Sequence, residues 1–262
     1  MNHAIYTALS GAIANDKRFD IVSNNLANAN TTGFKKSRVS FASMLPVQDE
    51  ETKKINENRD VPDNFKKGVF NTFTYVNKVK TDFSQGYLKE TGNDFDFAIN
   101  GDGFFVVKDG KGNVKYTRDG NFVVNNNGTL VDRDGDQVLD TNNNPIKIPT
   151  ENVKFVNVDE KGNIYVNDNL VAKMAVVDFQ DKSKLSRIGN NKFINTDKNI
   201  QPKESKNYSV YQGYLEGSNI NIVKEMTALI EIMRSYEATQ KVITTIDTQI
   251  DQRAVNDVGR IV

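Results

Sequence analysis

Cysteine and tryptophan are absent from the 262 residues, and there are only one histidine, His3, and five prolines. Without cysteine there can be no disulfide framework, no thiolate nucleophile and no Cys-ligated zinc or iron–sulfur site. A lone histidine beside the N-terminus excludes multi-His metal sites and leaves a Ser-His-Asp relay without a well-placed imidazole. No cofactor is expected, and the chain does not read as an enzyme. An excess of either charge is lacking too: 34 Lys and Arg balance 34 Asp and Glu, so no basic surplus is available to neutralise a phosphate backbone, and nucleic acid is disfavoured as a partner. Long apolar runs are missing, the longest being short stretches such as Phe104 to Val107, against the ~20 residues that a bilayer crossing needs. No direct membrane span is expected. Ser10, Gly11, Asn15 and Asp16 interrupt the first segment, so it does not read as a Sec signal peptide and export would take another route.

What is present falls into three kinds of pattern. Apolar or small residues recur every three or four positions near the start, at Ile5, Ala8, Ala12, Asn15, Phe19, Val22 and Leu26, which predicts a helix ending near Gly33. The same spacing returns after the start signal Gly217-Ser218-Asn219, at Ile222, Met226, Leu229, Met233, Tyr236, Gln240, Ile243, Asp247, Ile250 and Ala254. Polar residues at Asn15, Gln240 and Asp247 in otherwise apolar seams suggest that register is chosen at some cost in stability. Between the helices, short β-branched and aromatic runs alternate with turns such as Asp109-Gly110, Asp119-Gly120, Asn127-Gly128, Asp134-Gly135 and Gly162-Asn163, a pattern that predicts hairpins.

The expected fold is therefore α+β: long N- and C-terminal helices pairing as a coiled coil, an inserted mainly antiparallel β domain, and an extended connector. The expected boundaries are 1–33 for the first helix, 34–85 for an extended or flexible connector, 86–212 for the β domain and 213–262 for the second helix, pairing with 1–33. The connector includes a polar, charged stretch from Gln48 to Asn64 and a strand-like run from Val69 to Val79. Assembly is expected through Ile5, Ala12, Phe19, Val22, Leu26, Ile222, Met226, Leu229, Met233, Tyr236, Ile243 and Ile250.

Several patterns resemble chemistry and read more simply as structure. Asp132, Asp134 and Asp136 alternate like the start of a calcium loop, but Gly135 falls fourth instead of sixth and Asn143 stands where a bidentate Glu belongs, so a plain turn is expected. Gly101-Asp102-Gly103 lacks the following helix that would receive a phosphate. Asp94 and Asp96 alternate with Phe95 and Phe97, which places both on one strand face, most simply the solvent face. Lys35, Lys36 and Arg38 read as a solvated basic patch, and His3 as a surface or packing residue.

Longer phrases carry a family resemblance: ANANTTGFKK over 27–36, TGNDFDFAINGDGFFVV over 91–107, YTRDGNF over 116–122, GYLEGSNINIVKEM over 213–226 and RSYEATQKV over 234–242. They resemble the bacterial flagellar basal-body rod and hook proteins. The resemblance singles out Asn28, Thr31, Gly33, Phe34, Lys35, Gly213, Leu215, Glu216, Ser218, Asn219, Asn221, Glu225, Arg234, Tyr236 and Glu237 as family-motif positions. Thr32 and Thr239 depart from it, standing where many relatives have Pro and Asn. The opening MNHAIYTALSGA and the ending NDVGRIV are more similar to the proximal-rod member than to the distal-rod member. The resemblance implies a structural subunit of the periplasmic rod, exported through the flagellar type III apparatus and assembling with copies of itself and other rod proteins. A secreted oligomeric binding module or adhesin is the alternative class, its exposed Asn-rich turns serving recognition.

Overall fold

The structure, a computed structural model, describes residues 2–44, 73–149, 151–197 and 199–258. The chain divides into two compact units, one formed by 1–27, 37–80 and 221–262, the other by 28–36 and 81–220.

The first unit holds the two helices, α1 (Asn2–Ala27) and α2 (Ile222–Val258), and a two-stranded sheet of β1 (Ser37–Met44) and β2 (Phe73–Thr81). The polar run Gln48 to Asn64 lies outside the described residues, as does the beginning of the strand expected from Val69. Asn221, two residues beyond the expected start signal, caps α2: its side-chain oxygen accepts the Lys224 N–H at 3.0 Å and its carbonyl accepts the Glu225 N–H at 3.0 Å. Thr239 bonds back to the Ser235 carbonyl at 2.8 Å, so its hydroxyl is satisfied within the helix.

The structure corrects the expected fold class. The described chain is mostly antiparallel β-sheet with two helices, and these do not pair as a coiled coil. Spacing identifies a stripe but does not say which stripe is covered. The buried helix positions are Ala14, Asn25, Glu225 and Ile232, whereas Phe19, Ile222, Met226, Met233 and Tyr236 of the expected seam stand exposed. The helices meet through polar bonds, Asn15 Nδ2 to Ser235 Oγ at 2.9 Å and Asn25 Nδ2 to Glu225 Oε2 at 3.2 Å, in an antiparallel sense. Interlocking apolar knobs, the defining contact of a coiled coil, are not what is buried: among the described residues Ala14 is small, Asn25 and Glu225 are polar, and Ile232 is the one large apolar side chain of the four.

The second unit is a β body of short antiparallel strands. Its centre is β5 (Phe104–Lys108), which pairs with β6 (Val114–Thr117), β9 (Gln137–Val138) and β13 (Val176–Asp178). Alternation along β5 sends Phe105 and Val107 into one apolar cluster, with Phe97, Phe122 and Leu130, and Phe104 and Val106 into a second, with Leu139, Phe179 and Phe193. A strand buried on both faces has no polar side, and that accounts for the continuous run FFVV. A separate three-stranded sheet, β10 (Val156–Val158), β11 (Asn163–Val166) and β12 (Asn169–Lys173), covers the first cluster with Val156, Val158, Ile164 and Val166.

Five of the connections are one turn repeated. Asp109, Asn125, Asp132, Asp140 and Asp159 each open a five-residue loop, and the side-chain oxygen of each accepts the N–H groups two and four residues on, at 2.8–2.9 Å. The fourth position takes positive φ, at Gly112, Gly128, Gly135, Asn143 and Gly162. Glycine or asparagine tolerates that conformation. The expected hairpins are present, but the determinant is an Asx residue three positions before a Gly or Asn, and not the Asp-Gly or Asn-Gly dipeptide alone. Asp119-Gly120 does not belong to the set: Gly120 packs against the neighbouring strand, where its carbonyl accepts the Phe97 N–H at 3.0 Å.

Candidate functional site

Within the β body, motif residues far apart in sequence converge on Glu216, at the end of β18 (Tyr214–Glu216). Its Oε1 receives Lys35 Nζ at 2.5 Å and the Gly86 N–H at 2.8 Å; its Oε2 receives Arg118 Nη1 at 3.0 Å. Its main-chain oxygen accepts the Gly33 N–H at 2.7 Å. The side chains of Lys35 and Glu216 are fully buried, and Arg118 is nearly so. Burial draws the Lys35 ammonium below its ordinary pKa, against the pull of Glu216. Such a cluster contributes little net stability compared with apolar packing, but removing one member strands the others in a dry interior.

The segment carrying Phe34 and Lys35 is clamped from other sides. Arg187 stacks its guanidinium 4.3 Å from the Phe34 ring centroid and donates from Nη2 to the Lys35 carbonyl. Asn191 donates to the Thr32 carbonyl at 2.8 Å. Gly33 has φ +66°, and a Cβ there would overlap the backbone of Asp119. Asn219 accepts the Lys36 N–H at 2.7 Å and donates to the carbonyls of Asp82 and Ser84.

The motif positions thus have different fates. Gly33, Phe34, Lys35, Leu215, Glu216 and Ser218 are buried in the β body, and Asn219 lies beside them. Asn28 and Thr31 bond each other in the turn before Gly33, and the Gly213 carbonyl receives the N–H groups of Thr91 and Gly92. In the helical unit Asn221 and Glu225 serve as cap and buried partner of Asn25, while Arg234, Tyr236 and Glu237 are exposed. Of the remaining expected assembly positions, Ala12, Val22, Leu26, Leu229 and Ile243 are half-buried, and the side chains of Ile5 and Ile250 lie outside those described, as does that of His3. Phe19, Met233 and Tyr236 line a groove with Ile232 and Asn15.

Two simpler readings are corrected by the geometry, and the plain turn expected at Asp132 is present. Lys35 is not part of a solvated basic patch. Asp96 is buried and receives Asn93 Nδ2 at 2.9 Å and Asn121 Nδ2 at 2.8 Å, so it does not share the solvent face with Asp94. The loop resembling a calcium site already holds a cation of its own: Lys192 Nζ lies 2.8, 2.7 and 2.5 Å from Asp132, Asp134 and Asp136. Gly101 and Gly103 have φ of +103° and +126°, and a Cβ at either would press on neighbouring chain, which explains the glycines without a phosphate. Arg118 lay inside a motif yet carried no cue to burial, and nothing near Arg187 or Lys192 in sequence marks their partners.

A buried ionic joint in a β body, and a separate unit of two helices that leave large apolar side chains exposed, are features of a structural protein. The comparisons agree. Residues 5–35 match the family model "Flagella basal body rod protein", 98–166 match "Flagellar hook protein FlgE/F/G D1 domain" and 211–256 match "Flagellar basal body rod FlgEFG protein C-terminal". The chain is 35% identical to the flagellar basal-body rod protein FlgF of Caulobacter vibrioides over the whole of both chains. It is 34% identical to FlgG of Buchnera aphidicola subsp. Baizongia pistaciae, covering 95% of this chain and 97% of that one, and 32% identical to FlgG of Bacillus subtilis, covering 98% and 99%. The chain belongs to the flagellar basal-body rod protein family, structural components of the flagellum basal body.

Proposed function

We propose that the chain is a subunit of the proximal rod, polymerising through its terminal helices with copies of itself and other rod proteins into the driveshaft that carries torque from motor to hook. It reaches the rod through the flagellar type III export apparatus and acts by packing, not catalysis. The observation that carries this reading is the exposure of Phe19, Met226, Met233 and Tyr236 on the helices, an apolar surface suited to burial against other chains. Each large apolar side chain covered contributes ~1.5–3 kcal/mol, repeated around a lattice.

Two outcomes follow. Met226→Asp or Met233→Asp places a carboxylate in that interface, and basal bodies should lose the chain by about ten-fold or more, while circular dichroism of the purified variant retains the β signal. Normal rods in either variant would remove the helices from the interface. The proximal placement rests on the opening MNHAIYTALSGA and the ending NDVGRIV. Quantitative mass spectrometry of purified hook–basal bodies should find this chain at a few copies; several-fold more would assign it to the distal rod, and its absence there, with free protein outside the cell, would assign it to a secreted binding module.

A further inference from the structure

The chain passes between its two units four times, at 27/28, 36/37, 80/81 and 220/221. The β body therefore has four exits, and three short segments contain them all. Their hydrogen bonds close on one another. Asp82 N–H donates to the Lys36 carbonyl at 2.8 Å, Gly217 N–H to the Tyr87 carbonyl at 2.8 Å and Gly33 N–H to the Glu216 carbonyl at 2.7 Å. Lys35 Nζ reaches both Ser84 O at 2.8 Å and Glu216, while Asn219 bridges Lys36 to Asp82 and Ser84.

We infer that Glu216 is a positioning residue that ties all four exits of the β body into one cooperative joint, through which load on the helices reaches the body. None of these hydrogen-bonding residues belongs to either apolar cluster, though Phe83 of the same segment packs on the second. A buried carboxylate holding two cations and one backbone N–H has no neutral substitute of equal valence: Gln can accept at one atom only, and its amide would face a cation. The four exits should therefore loosen together when it is changed. The joint rests on the hydrogen bonds alone; the transfer of load rests also on the rod reading.

The test is hydrogen exchange on the full-length chain, with Glu216→Gln and, as a variant without a buried charge, Asn219→Ala. In both, the amides of Gly33, Asp82, Gly86 and Gly217 should exchange about ten-fold faster or more, while those of β5 stay as protected as in the unaltered chain. If Asn219→Ala accelerates only the Lys36 amide, the exits are independent and the joint is overturned; this variant decides the matter should Glu216→Gln unfold the whole body. In cells, Asn219→Ala should leave basal bodies assembled but cut swimming speed more sharply in viscous medium than in dilute medium. Accelerated exchange with unchanged swimming under load would overturn the mechanical half, whereas absence of the unaltered chain from basal bodies would overturn the rod reading and leave the joint standing.

Discussion

Lys192→Met should lower the stability of the β body by ~3–5 kcal/mol, the range seen when one partner of a buried ion cluster is removed. The ammonium of Lys192 is the common partner of Asp132, Asp134 and Asp136, and the first and last of these are nine-tenths buried. Lys115 would remain 2.9 Å from Asp136. The hydrogen bond from Lys192 holds the Asp134 carboxyl below its ordinary 3.8, against the effect of burial. Burial lowers Lys192 itself, yet the three carboxylates outweigh it and raise it above 10.5. A lowered acid contributes stability above its unfolded pKa and loses it as pH falls through the folded value; a raised base contributes below its unfolded pKa and loses it as pH rises through the folded value. The melting temperature of Lys192→Met should thus fall furthest below the unaltered chain on the plateau between about pH 5 and pH 9, and the gap should narrow as acid protonates Asp134. Adding Asp132→Asn and Asp136→Asn should recover most of the loss, because Asn125 closes the equivalent turn with an amide oxygen. A deficit constant from pH 3 to pH 9 would show that packing, not charge, is what Lys192 provides.

Gly120→Ala should cost ~3 kcal/mol or more, a fall in melting temperature of roughly 10 °C for a body of this size. No unusual backbone angle is involved. A Cβ at Gly120 would overlap the Phe97 carbonyl oxygen and press on the Phe105 ring, 3.1 Å away. Neither can yield: Phe97 is fixed by β4 (Phe97–Gly101), paired with β17 (Tyr208–Gln212), and Phe105 is fully buried in β5. Gly110→Ala is the matched control, since no atom lies within 4 Å of its Cβ position. Similar melting curves for the two variants would mean that β4 moves aside.

The contrast between Gly110 and Gly120 marks how far the sequence could be read. Both follow Asp and both looked like hairpin turns, but only contact with a strand distant in sequence separates the packed one from the free one. Local signals held where the cause was local: the Asx side chains that close five turns are visible as Asp or Asn three places before Gly or Asn, and the periodicity of 2–27 and 222–258 marked helices. Which helical stripe is covered was not local. Ala14, Asn25, Glu225 and Ile232 are chosen by what they meet, and a seam drawn through the largest apolar residues pointed elsewhere. At the buried joint, family phrases singled out Lys35 and Glu216 without indicating that they touch. Arg118, Arg187 and Lys192 have hydrogen-bond partners 17 to 152 residues away, beyond the reach of any motif.

The strand pairing that closes the β body also governs when it can fold. β3 (Leu88–Glu90) pairs with β18 and β4 with β17, so the first strands of the body are completed by its last. These nested pairings span more than a hundred residues and enclose every other strand of the body. High contact order makes such closure slow. Whichever end of the body becomes available first, its outermost strands must wait for their mates. A chain delivered progressively through a narrow passage would keep this part unfolded until both 88 and 216 are free, so the topology delays premature folding without a separate restraint.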